Sequence, residues 1–289
     1  MLERTALYAE SWNVAWRKKP TGAILNDKDN VFSIIKNDFK YWAADPFLFD
    51  YNNETYIFAE LYDYKLCRGC IGYCKWNGSS FGDWKKIITE EYHLSYPFIF
   101  EYNDNIFIMP ESGADKSLYL YRAVDFPDIW EKYKVLRENV LYGDTTPFSY
   151  NNHHYALSYD VSTDNYKLML LDFDDMSNDR SLDDVNSIEL RRPAGSVFEK
   201  EGKIFRPAQN CTNDYGEGIL FYQLDFKNGN YNEIKIDDIC PNQLNFSKQI
   251  ILDGMHTYNS NNEFEIIDIK TRRLNLLNLI HRLICKIKR

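Results

Sequence analysis

Two spans of this chain carry acidic residues at one repeated spacing. Asp45 precedes Pro46, and Glu60 follows that proline by fourteen residues; Tyr96 precedes Pro97, and Glu111 follows by fourteen residues again. Each span is centred on a turn signal, Asn52-Asn53 in the first and Asn103-Asp104 in the second. Folded as hairpins about those centres, Asp45 falls opposite Glu60 and Tyr96 falls opposite Glu111. Two carboxylates held opposite each other repel. They need a cation, a shared proton or a substrate between them, and such a setting drives pKa values apart. The chemistry that follows is acid–base work, with Asp45, Glu60, Glu111 and Asp144 as the candidate catalytic carboxyls.

Other side chains at the same relative positions extend the set. Arg192 and Arg206 could clamp a phosphate or a sugar carboxylate bidentately, or could pair internally with Glu60 or Asp144. A phosphate leaving group needs charge neutralisation more than protonation. His93 stands just before "LSYPF" and His256 just after "DGM", both near the start of a repeat. Tyr96, His93, Arg192, Arg206, His256 and Trp42 are the candidate substrate-binding residues. No metal site and no cofactor are expected. Cys67, Cys70 and Cys74 form a C-x2-C-x3-C run without an evident fourth ligand, so they read as buried reduced thiols rather than a zinc site.

These residues must be positioned by a repeat. "WAADPFLFDYNNETYIFAE" (42–60) and "SYPFIFEYNDNIFIMPE" (95–111) share an aromatic strand, an Asn/Asp turn and a second aromatic strand. Weaker copies are "DTTPFSYNNHHYALSYD" (144–160), "RRPAGSVFEKEGKIFRPAQ" (191–209) and "DGMHTYNSNNEFEIID" (253–268). Copies about fifty residues apart, with strand-like runs between them, mark a propeller. The expectation is an all-β, five-bladed β-propeller over residues 1–270. Its N-terminal strands, about 8–36, close the last blade. Asp45, Glu60, Tyr96, Glu111, Asp144, Arg192, Arg206 and His256 would then ring one mouth of the central channel. Charged residues there could equally be the plug of a wet channel.

At "ADPFLF", "HLSYPFIFEY", "MPES" and "LYRAVDFPDIW" the sequence resembles the N-terminal propeller domain of plant glucosamine inositolphosphorylceramide transferases and their bacterial relatives. The likeness spans roughly 35–268. In those plant relatives the propeller precedes a separate transferase domain. More distantly, the repeat is similar to the five-bladed glycosidases of the arabinanase and β-xylosidase kind. That resemblance implies Asp45 as general base and Asp144 as the residue tuning the acid. It also implies a glutamate acid at the start of the fourth blade, where this chain has Arg192. Arginine does not give up its proton at workable pH, so Glu111 or Glu60 would have to serve.

The composition bounds the partners. A net charge of -9 argues against nucleic acid. The 22 Tyr and 18 Phe suit both pleated sheets and the C–H faces of sugars. No signal peptide or membrane-spanning run is read from the sequence, and a cytoplasmic location is expected. Residues 271–289, "TRRLNLLNLIHRLICKIKR", show helical apolar spacing with six Lys and Arg residues. They predict an amphipathic basic helix that could rest on the inner face of an anionic membrane, on a partner or on the propeller. The function expected is glycosyl transfer from a nucleotide- or lipid-linked sugar in cell-surface polysaccharide or glycolipid synthesis. A five-bladed glycoside hydrolase and a non-catalytic glycan- or partner-binding propeller are the alternatives.

Overall fold

The computed structural model describes residues 8–19, 31–163, 165–170, 180–184, 191–227, 230–248 and 252–274. Strands β1 (Tyr8–Lys18) and β2 (Ser33–Ile34) come first. β3 (Tyr41–Tyr51), β4 (Glu54–Asp63), β5 (Arg68–Lys75) and β6 (Lys85–Ile88) form a first antiparallel sheet. β7 (Ser95–Tyr102), β8 (Asn105–Glu111), β9 (Ser117–Asp125) and β10 (Ile129–Glu138) form a second. The third holds β11 (Tyr142–Tyr150), β12 (His153–Asp160), β13 (Asn165–Leu170) and β14 (Arg180–Asp184). The fourth holds β15 (Phe198–Lys200), β16 (Lys203–Asn210), β17 (Gly218–Lys227) and β18 (Asn230–Ile239). β19 (Tyr258–Ser260) and β20 (Phe264–Leu274) complete the fifth sheet with β1 and β2, in the order β19-β20-β1-β2.

The hairpins turn where Asn and Asp tolerate left-handed backbone. Asn52 and Asn53 have φ of 50° and 61°, Asn103 and Asp104 48° and 59°, Asn151 and Asn152 48° and 61°. Two consecutive positive φ values give the primed turn whose twist matches a hairpin. Residues then alternate between the two faces of each sheet, and both faces are apolar. On β4, Ile57 packs with Val14 and Phe264 of the fifth sheet, while Phe58 packs with Phe98 and Ile108 of the second. On β20, Ile266 faces the first sheet and Ile267 joins Phe221 of the fourth. Phe148 and Leu157 of the third sheet meet Leu224 of the fourth. Each core is therefore shared between neighbouring sheets, in a propeller-like arrangement.

Two sequence expectations are corrected here. Residues 271–274 are not the start of a helix. They continue β20, pairing Thr271 with Ser11 and Leu274 with Tyr8. An eleven-residue β1 needs a partner for its backbone groups along its whole length, and that demand outweighs the local helical spacing. The remainder of the expected helix, 275–289, lies outside the described residues. The hairpin register is also shifted by one. Ala44, not Asp45, stands opposite Glu60, and Ser95, not Tyr96, stands opposite Glu111, because a β-bulge interrupts each pair.

Candidate functional site

The bulges are what build the site. In β3, β7 and β11 the pairing skips after Ala44, Ser95 and Gly143, so Asp45, Tyr96 and Asp144 occupy one equivalent position. All three have left-handed backbone, with φ of 51°, 46° and 52°. Left-handed backbone disfavours a residue with a side chain by roughly 1–2 kcal/mol, so the surroundings must hold each of them there. They do so with carboxylates. The N–H of Asp45 donates to Asp268 Oδ2 (3.1 Å), that of Tyr96 to Asp45 Oδ2 (3.2 Å), and that of Asp144 to Glu111 Oε2 (3.1 Å). A side chain of one sheet thus holds the bulge of the next, from the fifth sheet to the first, second and third.

Two charged groups grow from this chain. Around Asp144, Arg192 donates through Nε to Asp144 Oδ2 (2.7 Å) and through Nη2 to Glu111 Oε2 (2.9 Å). Gln209 Nε2 adds a second donor to Asp144 Oδ2 at 2.8 Å. Around Asp45, Thr257 Oγ1 donates to Asp45 Oδ1 (2.9 Å). His256 Nδ1 lies 2.6 Å from Asp268 Oδ2 and 3.5 Å from Asp45 Oδ1. Asp268 also accepts the backbone N–H groups of His256 and Thr257 through Oδ1, at 2.8 and 2.9 Å.

Burial and neighbours set the protonation. Desolvation pushes the Asp45 carboxyl up to about 7 against the pull of His256, with Glu60, Asp144 and Asp268 raising it further. Desolvation likewise pushes Asp144 up to about 7, opposed by Arg192 and reinforced by Glu111. Burial would lower His256, but Asp268 and Asp45 overcome it and lift the imidazole to about 9. Asp268 is itself buried, which disfavours its charge, yet His256 and the backbone donors hold it below the usual carboxylate range. Asp45, His256 and Asp268 present ligand atoms within 4.8 Å of one another, the geometry of a cation site. A metal bound there would have to displace the proton that Asp268 and Asp45 hold on His256.

A third acidic group lies beside these. Glu60 is buried, and His93 Nε2 is 3.2 Å from its Oε1. Nδ1 of His93 accepts the Gly69 N–H (2.9 Å), which directs the ring proton toward Glu60. Burial alone would lower the His93 pKa; the Glu60 charge raises it.

The candidates therefore divide. Asp45, Glu60, Glu111, Asp144, Arg192, His93 and His256 belong to these linked groups. Solvent reaches Glu111, Arg192 and His93, whose side chains are 22 %, 23 % and 39 % exposed. Tyr96 is not available to a substrate. It is fully buried, with its hydroxyl on Thr146 Oγ1 (2.7 Å) and the Gly195 N–H (2.7 Å), tying the second sheet to the third and fourth. His256 is likewise enclosed, roofed by the Trp12 ring at 3.9 Å. Arg206 points elsewhere: it is buried and grips Glu233 of β18 with Nε and Nη2 (2.5 and 2.8 Å). Trp42 stacks flat on its cross-strand partner Tyr62 at 4.9 Å. Cys70 and Cys74 are buried free thiols whose pKa values desolvation pushes up, whereas Cys67 is disulfide-bonded and not the reduced thiol expected from the sequence.

Sequence reasoning did not single out Asp268, Thr257, Gln209 or Trp12. Asp268 closes the fifth copy of the repeat, where an acidic residue ending a hairpin was the available signal.

The fold and the site define an all-β, propeller-like protein with buried carboxyls held near neutrality beside an arginine. The chain belongs to the family described as glucosamine inositolphosphorylceramide transferase 1, N-terminal, whose model matches residues 30–249. It is 29% identical over 196 residues to glucosamine inositolphosphorylceramide transferase 1 of Oryza sativa subsp. indica, covering 64% of this chain and 26% of that protein. The Arabidopsis thaliana protein of the same name is 28% identical over 213 residues, 68% of this chain and 27% of its own. The chain thus spans about a quarter of the length of these curated relatives. Among solved structures, the catalytic domain of Coprinopsis cinerea GH62 α-L-arabinofuranosidase superposes with a TM-score of 0.57 at 10% identity, over 90% of this chain and 98% of that one. A GH62 hydrolase in complex with xylotriose gives 0.59 at 10% identity, over 81% and 94%. At such identity these likenesses speak to the fold.

Proposed function

We propose that this chain is a carbohydrate-handling module in the assembly of cell-surface glycolipid or polysaccharide. It acts on a sugar carried by a nucleotide or a lipid, and glycosyl transfer is the reaction favoured. Each four-stranded sheet is read as one blade of a five-bladed ring. The observation that carries the reading is Arg192, bridging Asp144 and Glu111 at the solvent-facing edge of the site. Its Nη1 has no partner among the described residues, so the guanidinium retains donors for an anionic leaving group. Behind it, Asp144 and Asp45 sit near neutral pKa, able to take or give a proton at working pH. The proposed location is the inner face of the membrane, reached through the basic segment 275–289.

Thermal shift with nucleotide-sugars and with lipid-linked sugars tests this. Stabilisation that disappears in Arg192→Ala and Asp45→Asn supports the reading, and stabilisation kept by both counts against it. Binding unaffected by Asp45→Asn and without turnover would instead favour a non-catalytic glycan-binding propeller.

The second reading is a glycoside hydrolase, favoured by two buried carboxyls able to exchange protons near pH 7. Against it, Arg192 stands just ahead of the fourth sheet, where the resemblance calls for a glutamate acid. Turnover of aryl glycosides that depends on Asp45 and on Glu60 or Glu111 would establish hydrolysis.

A further inference from the structure

Tyr215 is a large aromatic residue left 47 % exposed beside the charged groups. It lies in the loop between β16 and β17, and that loop is held firmly. The Gly216 N–H donates to Cys211 Sγ (3.4 Å), the Glu217 N–H to Asn210 O (3.0 Å) and the Asn213 N–H to Glu217 Oε2 (3.1 Å). From outside the loop, the Met255 N–H donates to Gly216 O (2.8 Å). Lys270, buried on β20, donates through Nζ to the Tyr215 carbonyl and to Asp214 (3.1 Å). Gly216 makes the turn possible: its φ is +63°, and a Cβ there would lie 3.0 Å from Trp12 and 3.1 Å from His256.

The ring meets His256 at 5.3 Å and 72°, and Trp12 at 6.3 Å and 77°. At those steep angles, no aromatic ring of the described residues lies flat against it. Its hydroxyl, unlike the ring edge, is buried: desolvation holds its pKa well above the ordinary value, eased by the charge of Arg192 and reinforced by those of Asp144, Asp45 and Glu111. Tyr215 thus combines an uncovered ring, a rigid backbone and a hydroxyl turned toward the cluster.

We propose that Tyr215 is the platform for one pyranose unit of the substrate. The exposed ring takes the apolar C–H face of the sugar and so sets its hydroxyls toward Arg192 and Glu111. This rests on the carbohydrate reading above and adds the residue that orients the sugar. A rigid tyrosine has few rotamers to lose on binding, which is why such rings recur in recognition surfaces.

Saturation-transfer difference NMR on the full chain, with D-glucosamine and D-glucose as probes, tests the proposal. Saturation of the pyranose ring protons is expected in the wild type. Tyr215→Ala should weaken binding by about tenfold, the scale of one lost aromatic contact, and Tyr215→Phe should restore it. If Tyr215→Ala does not fold, Tyr215→Leu removes the ring while keeping an apolar side chain; its melting temperature certifies the fold. Unchanged binding in the Ala or Leu variant, with binding still lost in Arg192→Ala, overturns the platform and leaves the carbohydrate reading standing. Loss in Ala without rescue by Phe also overturns it, because the hydroxyl rather than the ring would then be responsible. No saturation of either sugar by the wild type overturns both.

Discussion

The backbone N–H of Tyr96 donates to the carboxylate of Asp45 at 3.2 Å, across the boundary between the first and second sheets. One aspartate thereby serves two ends. It fixes the left-handed bulge of its neighbour and it belongs to the group of acidic residues with raised pKa. Stability and chemistry should respond together when it is changed.

Asp45→Ala should destabilise the fold by about 2–4 kcal/mol. It orphans the buried Tyr96 N–H, worth about 1–3 kcal/mol, and it places an alanine at a φ of 51° that Asp and Asn tolerate better. Asp45→Asn keeps an acceptor oxygen and the backbone preference, so its loss should be the smaller. Urea unfolding midpoints for the two variants decide this; equal losses would show that the amide contact contributes nothing.

Thermal stability should fall as pH rises from 5 to 9. Asp45 and Asp144 have folded pKa values of about 7, above the ordinary carboxylate value of roughly 4. Between those values the folded chain binds more protons than the unfolded one, so stability declines with pH. His256 at about 9, against roughly 6.5 unfolded, contributes stability that is full below 6.5 and lost through 9. Asp268 acts oppositely, its contribution vanishing in acid. Melting temperatures across this range, with His256→Gln flattening the alkaline part and Asp144→Asn the acidic part, check the assignment. A profile that rises with pH refutes it.

Arg192→Lys should not rescue what Arg192→Ala loses. Nε and Nη2 reach two different carboxylates, at 2.7 and 2.9 Å, and an ammonium cannot reproduce that fork. Removing the guanidinium should lower stability by about 1–3 kcal/mol, the scale of charged hydrogen bonds lost at a partly exposed site. Denaturation of both variants, alongside the ligand-induced shift, measures it.

Gly69→Ala should be far more disruptive than Gly143→Ala. A Cβ on Gly69 would lie 2.4 Å from the Leu94 carbonyl and 2.5 Å from Glu60 Oε1. On Gly143 it would lie 3.0 Å from Arg192 Nη2 and 3.2 Å from Glu111 Oε2, atoms at the ends of long side chains. The first change should cost about 2–3 kcal/mol, as overpacking against backbone does, and the second under about 1 kcal/mol. Calorimetric melting of the two variants, with His93 followed by its NMR titration, separates them.

How much was legible in the sequence depended on range. Asn52-Asn53 and Asn103-Asp104 signalled their turns because positive φ is a local property. The aromatic run along "TYIFAE", following directly on that turn, declared β4 for the same reason. The bulges were hidden, since one extra residue changes the register without changing the pattern of apolar residues. That slip is why Asp45 seemed to face Glu60. Arg206 misled because its partner Glu233 lies two strands away in the sheet, and no spacing rule connects them. Thr271 to Leu274 read as helix because the chain's other end, which they pair with, is remote in sequence. Asp268 was overlooked although its four contacts make it the residue on which the Asp45 group rests.

β1 lies between β20 and β2, paired with β20 from Tyr8–Leu274 to Lys18–Phe264. Among the described strands, β1 therefore finds its full-length partner only in β20, the last of them in sequence. Until β20 is made, one backbone edge of β1 is unpaired and open to foreign strands. Pairing β1 with β20 closes the longest loop of any strand pairing among the described residues, and so carries the largest loop-closure entropy among them. A rearranged gene that begins at the Asn52-Asn53 turn and links β20 directly to β1 would make that pairing local, and would shift the long closure to the first sheet.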